Sequence, residues 1–214
     1  RDYAVARSDV PKMMELIPDL QNQVGPMRIV GGNFRGRRLA TPASDKIRPT
    51  TDRTRESLFN ILGHQIEFTN KRVIDLFAGT GALGLEAVSR GCSYALFVEE
   101  STEGRGLLRT NIENFGLQGV SRIFKRDATK LGEAGIIQPF DFAFLDPPYD
   151  KGLGEQAMAQ LRLGGWLNPN ALIILEERKA SMPGDLEGFV EIDRRDFGDT
   201  SISIRHLQEE SSSQ

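Results

Sequence analysis

The sequence predicts an α/β fold, a mainly parallel, doubly wound sheet of seven strands that ends in an antiparallel hairpin and carries a small ribbon-and-helix extension at its amino end. Three observations carry this expectation. From Lys71 onward, short apolar runs alternate with amphipathic stretches. A glycine-rich turn, Gly79-Thr80-Gly81-Ala82-Leu83-Gly84, stands between the first such run and the helix after it. The last two runs are separated by Gly198-Asp199, a hairpin signal, and not by a helix.

Residues 1–26 read as a peripheral extension, native or appended, with a short helix over Lys12–Leu20 broken by Gly25-Pro26. Residues 27–62 form a basic arm. Met27–Leu39 alternates like a β-ribbon, Arg48-Pro49-Thr50 is extended because proline disfavours helix before it, and Thr51 or Asp52 caps a helix to about Leu62. Residues 63–207 form the core. Strands are expected over Arg72–Phe77, Tyr94–Glu99, Val120–Lys125, Phe140–Leu145 and Ala171–Glu176. Helices are expected over Ala82–Arg90, Glu103–Phe115 and Leu153–Leu163, each stopped by a following glycine. Phe189–Arg195 and Ser201–Leu207 make the hairpin, and residues 208–214 are a polar tail.

Composition narrows the function. A 214-residue chain with 39% hydrophobic residues suits one domain with an arm, and it has no apolar run near the ~18 residues of a membrane span. Arg1-Asp2-Tyr3 opens no signal peptide, so a cytoplasmic protein is expected. One cysteine, Cys92, excludes an internal disulfide, and two distant histidines, His64 and His206, argue against zinc; no metal is expected. Net charge is −3, unevenly spread. Met27 to Asn60 holds eight Lys/Arg against three acids, so this stretch carries +5 and the remainder −8. A cationic arm on an acidic body suits a phosphate backbone.

The glycine turn alone admits two cofactors. It matches G-x-G-x-x-G, and Glu99 stands 20 residues beyond Gly79 at a strand end, as in a dinucleotide site. Electrostatics favours another ligand. Asp75 and Asp146 fall at the carboxyl ends of neighbouring strands, where a pyrophosphate would be repelled in a partly dry crevice. A sulfonium and an ammonium would be welcome there, which points to S-adenosylmethionine. The candidate cofactor-binding set is Asp75, Phe77, Ala78, Gly79, Thr80, Gly81, Glu99, Asp127 and Asp146, with Glu99 on the ribose and Asp127 on the adenine amino group.

Asp146-Pro147-Pro148-Tyr149 follows the apolar run Phe140–Leu145 and forms the candidate catalytic set. An exocyclic amine on a nucleobase is a poor nucleophile because its lone pair is delocalised. Two acceptors for its hydrogens turn that lone pair toward the methyl donor. Asp146 is one acceptor and the Pro147 carbonyl, held by two restricted residues, is the other. Tyr149 stacks on the base. The expected reaction is methyl transfer to a nucleobase amine.

These residues resemble a known family. Met27-Arg28-Ile29-Val30-Gly31-Gly32, Arg35-Gly36-Arg37, Arg48-Pro49-Thr50, Asp52-Arg53 and Arg55–Asn60 are similar to the opening of the bacterial RsmD-type enzymes. Asp75–Glu86, Phe97-Val98-Glu99 and Leu145–Tyr149 continue the likeness, which covers about residues 27–207. The resemblance implies a class I, Rossmann-like methyltransferase that uses S-adenosylmethionine to methylate N2 of one guanine in small-subunit ribosomal RNA. It implies an assembled or partly assembled 30S particle as substrate, and a monomeric enzyme is expected. By position, Arg48 to Asn60 would help to close the cofactor site and contact RNA; Arg35, Arg37, Arg38, Arg48, Arg53 and Arg55 are the candidate RNA-binding residues. The alternatives are a DNA adenine-N6 methyltransferase, for which little chain remains as a recognition segment, a protein glutamine methyltransferase, a non-catalytic RNA-binding factor, and an NAD-binding oxidoreductase. Trp166 is expected in the core or at its rim.

Overall fold

The computed structural model describes residues 27–42 and 52–208. The helix expected over Lys12–Leu20, Arg48-Pro49-Thr50 and residues 209–214 of the expected tail lie outside them. Five parallel strands, β1 (Arg72–Leu76), β2 (Tyr94–Val98), β3 (Ser121–Phe124), β4 (Phe140–Leu145) and β5 (Leu167–Arg178), are followed by β6 (Phe189–Phe197) and β7 (Thr200–Leu207). The helices described are α1 (Asp52–Gln65), α2 (Ala82–Ser89), α3 (Thr102–Phe115) and α4 (Leu153–Leu163).

The sheet order is β3-β2-β1-β4-β5-β7-β6. β7 inserts between β5 and β6 and runs antiparallel to both, so it is the one reversed strand among the described residues. The chain leaves β1 toward β2 and β3 on one side and resumes on the other with β4 and β5. That reversal opens a crevice at the carboxyl ends of β1 and β4, where ligands of open α/β sheets bind. Both sheet faces are covered, which explains the continuous apolar runs. Strand alternation sorts each run into two layers: Val73 packs with α1, α2 and α3, and Ile74 and Leu76 pack with α4.

Two boundaries differ from the sequence reading by more than two residues. β5 begins at Leu167, four residues early, because Leu167 pairs with Phe140 before the register skips to Leu172 opposite Phe142. Asn168, Pro169 and left-handed Asn170 absorb the irregularity, as bulged segments do. α1 runs to Gln65, past Gly63, whose missing side chain leaves only open space. Trp166 is fully buried, stacked on Phe140 with its Nε1 donating to the Gly132 carbonyl at 2.7 Å.

Residues 27–42 form the expected ribbon, with Arg28 bridged to Arg38 around a 3₁₀ turn at Gly32–Phe34. It is fastened to the body. The Val30 amide donates to the buried Glu86 carboxylate at 2.8 Å, and Phe34 and Gly31 bond Ser89 Oγ. Asn111 of α3 accepts from the Ala40 amide and donates to the Ala40 and Thr80 carbonyls. With Ile29 and Leu39 buried beneath it, this ribbon is a fixed wall beside the glycine turn.

Candidate active site

The crevice at the β1–β4 switch is a cleft of about 930 Å³ that adjoins a smaller cavity of about 220 Å³. Phe77, Ser101 and Asp146 line both. Each wall comes from a different strand end. Asp75 is the penultimate residue of β1 and is 2% exposed, and Glu99 follows β2. Asp127 follows β3, and Asp146–Tyr149 follow β4. The structure thus brings together, along these two cavities, the residues expected at the cofactor and at the reacting amine, except Gly81, which faces Leu108 and Phe97 instead.

The glycine turn is shaped by its backbone. Phe77, Gly79 and Gly81 have φ of 59°, 54° and 79°. For Phe77 that conformation costs on the order of 1–3 kcal/mol, a strain held at the mouth of the site. A Cβ on Gly81 would lie 2.5 Å from Leu108 Cδ2, so the turn sits directly on α3. Glu99 locks it: the Gly79 amide donates to one carboxylate oxygen at 2.8 Å and the Ser101 amide to the other at 2.7 Å. Gly104 leaves room for that carboxylate, since a Cβ there would come within 2.7 Å of Glu99 Cδ.

Four carboxylates gather under the cleft. Burial pushes Asp75 up to about 8, against the opposing Gly84 N–H bond at 2.9 Å and helped by the charge of Glu99. Asp146 is raised well above the usual carboxylate range, by burial first and then by Glu176, Asp75 and Glu177. Tyr149 donates its hydroxyl to Glu176 at 2.7 Å, which fixes the ring at the cleft wall; burial and that carboxylate push its pKa up. Asp127 behaves differently. Its Oδ1 caps the 3₁₀ turn Ala128–Lys130 by accepting from the Thr129 hydroxyl and amide at 2.7 and 2.8 Å, and these bonds hold its pKa low.

The basic residues divide. Arg35, Arg38 and Arg53 are exposed. Arg37 is exposed but docked, with its guanidinium 4.5 Å from the Phe115 ring and bonded to the Asn114 carbonyl. Arg55 corrects the sequence reading. It is 0% exposed and lines the smaller cavity beside Asp75 and Gly79, so RNA has no access to it. Arg48 lies outside the described residues. Sequence reasoning missed Glu176 and Glu177, and also Arg126 and Arg178 at the cleft rim. The signal was present: Glu176-Glu177-Arg178 ends a buried strand on the carboxyl edge, next to β4. Among the described residues there is no cluster of three His, Cys, Asp or Glu fit for a metal, and no helix long and apolar enough to cross a membrane.

Comparison with known proteins agrees with this geometry. The family model described as "Conserved hypothetical protein 95" matches residues 27–206. The Escherichia coli K12 protein named "Ribosomal RNA small subunit methyltransferase D" is 41% identical over 155 residues, covering 71% of this chain and 75% of its own length. The Haemophilus influenzae protein of the same name is 37% identical over 160 residues, covering 74% and 82%. The solved Escherichia coli structure named "Putative methyltransferase yhhF" is 32% identical with a TM-score of 0.73, covering 86% of this chain and 99% of that one. The chain therefore belongs to the RsmD family of ribosomal RNA small subunit methyltransferases and has the α/β fold of the class I methyltransferases.

Proposed function

We propose that the protein transfers a methyl group from S-adenosylmethionine to the exocyclic N2 of one guanine in small-subunit ribosomal RNA, presented within an assembled or partly assembled 30S particle. It works as a cytoplasmic monomer. The observation that carries this reading is the position of Asp146, which lines both the glycine-turn cavity and the open cleft bordered by Tyr149.

The donor set fits such a cofactor. Asp75 is buried and Asp146 partly buried at the cavity wall; both have raised pKa values, and a cation placed between them would offset their mutual repulsion. Glu99 suits a ribose, with lone pairs left on oxygens already oriented by two backbone amides. Asp127 has one oxygen free of the capping bonds for an adenine amino group. When bound, the cofactor supplies an electrophilic methyl on a positively charged sulfur.

The chain's own residues do the rest. A bound cation would hold Asp146 ionised against its raised pKa, and its carboxylate and the Pro147 carbonyl then accept the two hydrogens of the amine and turn its lone pair toward the methyl carbon. Asp146, which lines the cavity that would hold the donor, would take the proton that the amine gives up. Tyr149, tethered through Glu176, stacks on the base. Arg35, Arg38 and Arg53 bind phosphates from the ribbon and α1. Most of the catalysis is positioning and charge placement.

The test is to incubate the protein with labelled methyl donor and small subunits lacking the modification, then map the labelled atom. Label on N2 of a single guanine is expected, and Asp146→Ala should lower the rate by at least about 100-fold. Label appearing on any atom other than a guanine N2, or near-normal turnover by the variant, would overturn the reading.

A further inference from the structure

The walls of the larger cleft divide along the sheet. Glu99, Ser101 and Asp127 stand on the β2 and β3 side, and Asp146, Tyr149 and Arg178 on the β4 and β5 side. Arg178 is the one cation lining that second side among the described residues. It is the last residue of β5, which runs three residues past the pairing of Leu175 with Leu145. Those three residues hold the loop that follows β4. Tyr149 donates to Glu176 at 2.7 Å, the Asp150 amide donates to Glu177 at 3.3 Å, and the Asp150 carboxylate pairs with Arg178 Nε at 3.0 Å. Ser181 Oγ donates to the other Asp150 oxygen. Asp150 has a left-handed φ of 63°, which the bonds around it hold. An isolated surface ion pair would fix little. Here Asp150 directly follows Tyr149, so the pair keeps the guanidinium in a constant relation to the ring on which a base would stack.

Pairing through Nε leaves Nη1 and Nη2, two donors on one edge of a side chain that is 46% exposed. Asp146 and the Pro147 carbonyl can accept hydrogens from any exocyclic amine, so they do not by themselves tell guanine from adenine or cytosine. The far edge of the base differs. With its N2 amine at Asp146, guanine turns a pair of acceptors, O6 and N7, away from the amine, and an arginine fork matches that pair. Adenine with its amine in the same place would offer N3 alone on its far edge, and cytosine O2 alone. We propose that Arg178 is the residue that selects guanine, donating to O6 and N7 while N2 lies at Asp146. This rests on the guanine reading above.

The test places 2-aminopurine at the target nucleotide of reconstituted small subunits lacking the modification. That base keeps the N2 amine and N7 and has hydrogen in place of O6. Its different intrinsic reactivity is the same for every variant and cancels in a cycle. kcat/KM for labelled methyl transfer is measured on both kinds of subunit with the wild type and Arg178→Ala. The wild type's preference for guanine should exceed that of the variant by roughly 5- to 100-fold, the range of one bidentate base contact. Arg178→Lys keeps the charge without the fork and should discriminate as poorly as Arg178→Ala; it carries the comparison should the alanine variant fail to fold. Equal losses on both substrates, as a phosphate contact or a purely structural brace would give, overturn the assignment. So does a lysine variant that discriminates like the wild type. Label from the folded wild type on neither substrate, or away from N2, overturns the guanine reading itself. Label on guanine N2 with unchanged discrimination overturns only the role of Arg178.

Discussion

Asp75 offers a sharp test because its two states are coupled to its ligand. Its side chain accepts the Gly84 amide at the start of α2, and both that bond and the helix amino terminus favour the charged form. Burial outweighs them and raises its pKa to about 8. At pH 7 only about a tenth of the free protein therefore has Asp75 ionised. If the donor's positive charges need the carboxylate, binding at pH 7 should release close to one proton. Affinity should rise about tenfold from pH 6 to pH 7, where an α-ammonium with a pKa of about 7.7–8.0 stays charged. Asp146, raised in the same direction, adds to this slope. Asp75→Asn removes the share that belongs to Asp75. Calorimetry in buffers of different ionisation enthalpy reads the proton count directly. The sign for stability is opposite to that of an ordinary paired carboxylate. The folded chain keeps a proton that the unfolded chain has lost between about pH 4 and pH 8, so stability falls as pH rises through that window. In Asp75→Asn that fall should be shallower. Wild-type affinity that is flat between pH 6 and pH 7, with no proton released, would refute the reasoning.

Three further outcomes are expected. Gly81→Ala must take a left-handed φ of 79° and push a methyl within 2.5 Å of the buried Leu108, which together cost about 2–5 kcal/mol. Gly116→Ala, with φ of 69° and nothing within 4 Å, should cost only the backbone share of about 1–2 kcal/mol; equal losses in a denaturant titration would mean the packing argument is wrong. Replacing Arg35 and Arg38 by Ala should lower the slope of log affinity for RNA against log salt by about 1.5–2, and an unchanged slope would remove the ribbon from the RNA footprint. Arg37 is left out of that pair because it packs on Phe115. Asp146→Asn should unfold at a higher temperature than the wild type at pH 8 while losing methyl transfer, because it removes one of four crowded carboxylates; a lower midpoint would show that Asp146 is not the strained member.

The cluster of acids explains why one fold can be both well packed and poised. Asp75, Asp146, Glu176 and Glu177 are arranged on the carboxyl edge of three adjacent strands, and the site holds them at a cost in stability. A cationic ligand relieves that cost, so the same charges that strain the free protein select what it binds.

Much of this was readable along the chain. The apolar runs at Arg72–Phe77, Tyr94–Val98 and Phe140–Leu145 marked the strands, because side chains on both faces of the sheet meet a covered layer. The glycine turn and Asp146–Tyr149 marked the site because their chemistry is local: a turn that needs left-handed backbone, and acceptors held by successive prolines. What stayed hidden depends on distance in space. No periodicity tells that Arg55, on the apolar stripe of α1, meets a cavity instead of a phosphate. Nor does the linear order tell that Glu176 reaches Tyr149, or that Glu86 and Asn111 pin the ribbon. Local sequence sets backbone preference and the face a residue occupies; only tertiary packing decides what that face touches, and so which charges are desolvated and where a ligand meets them.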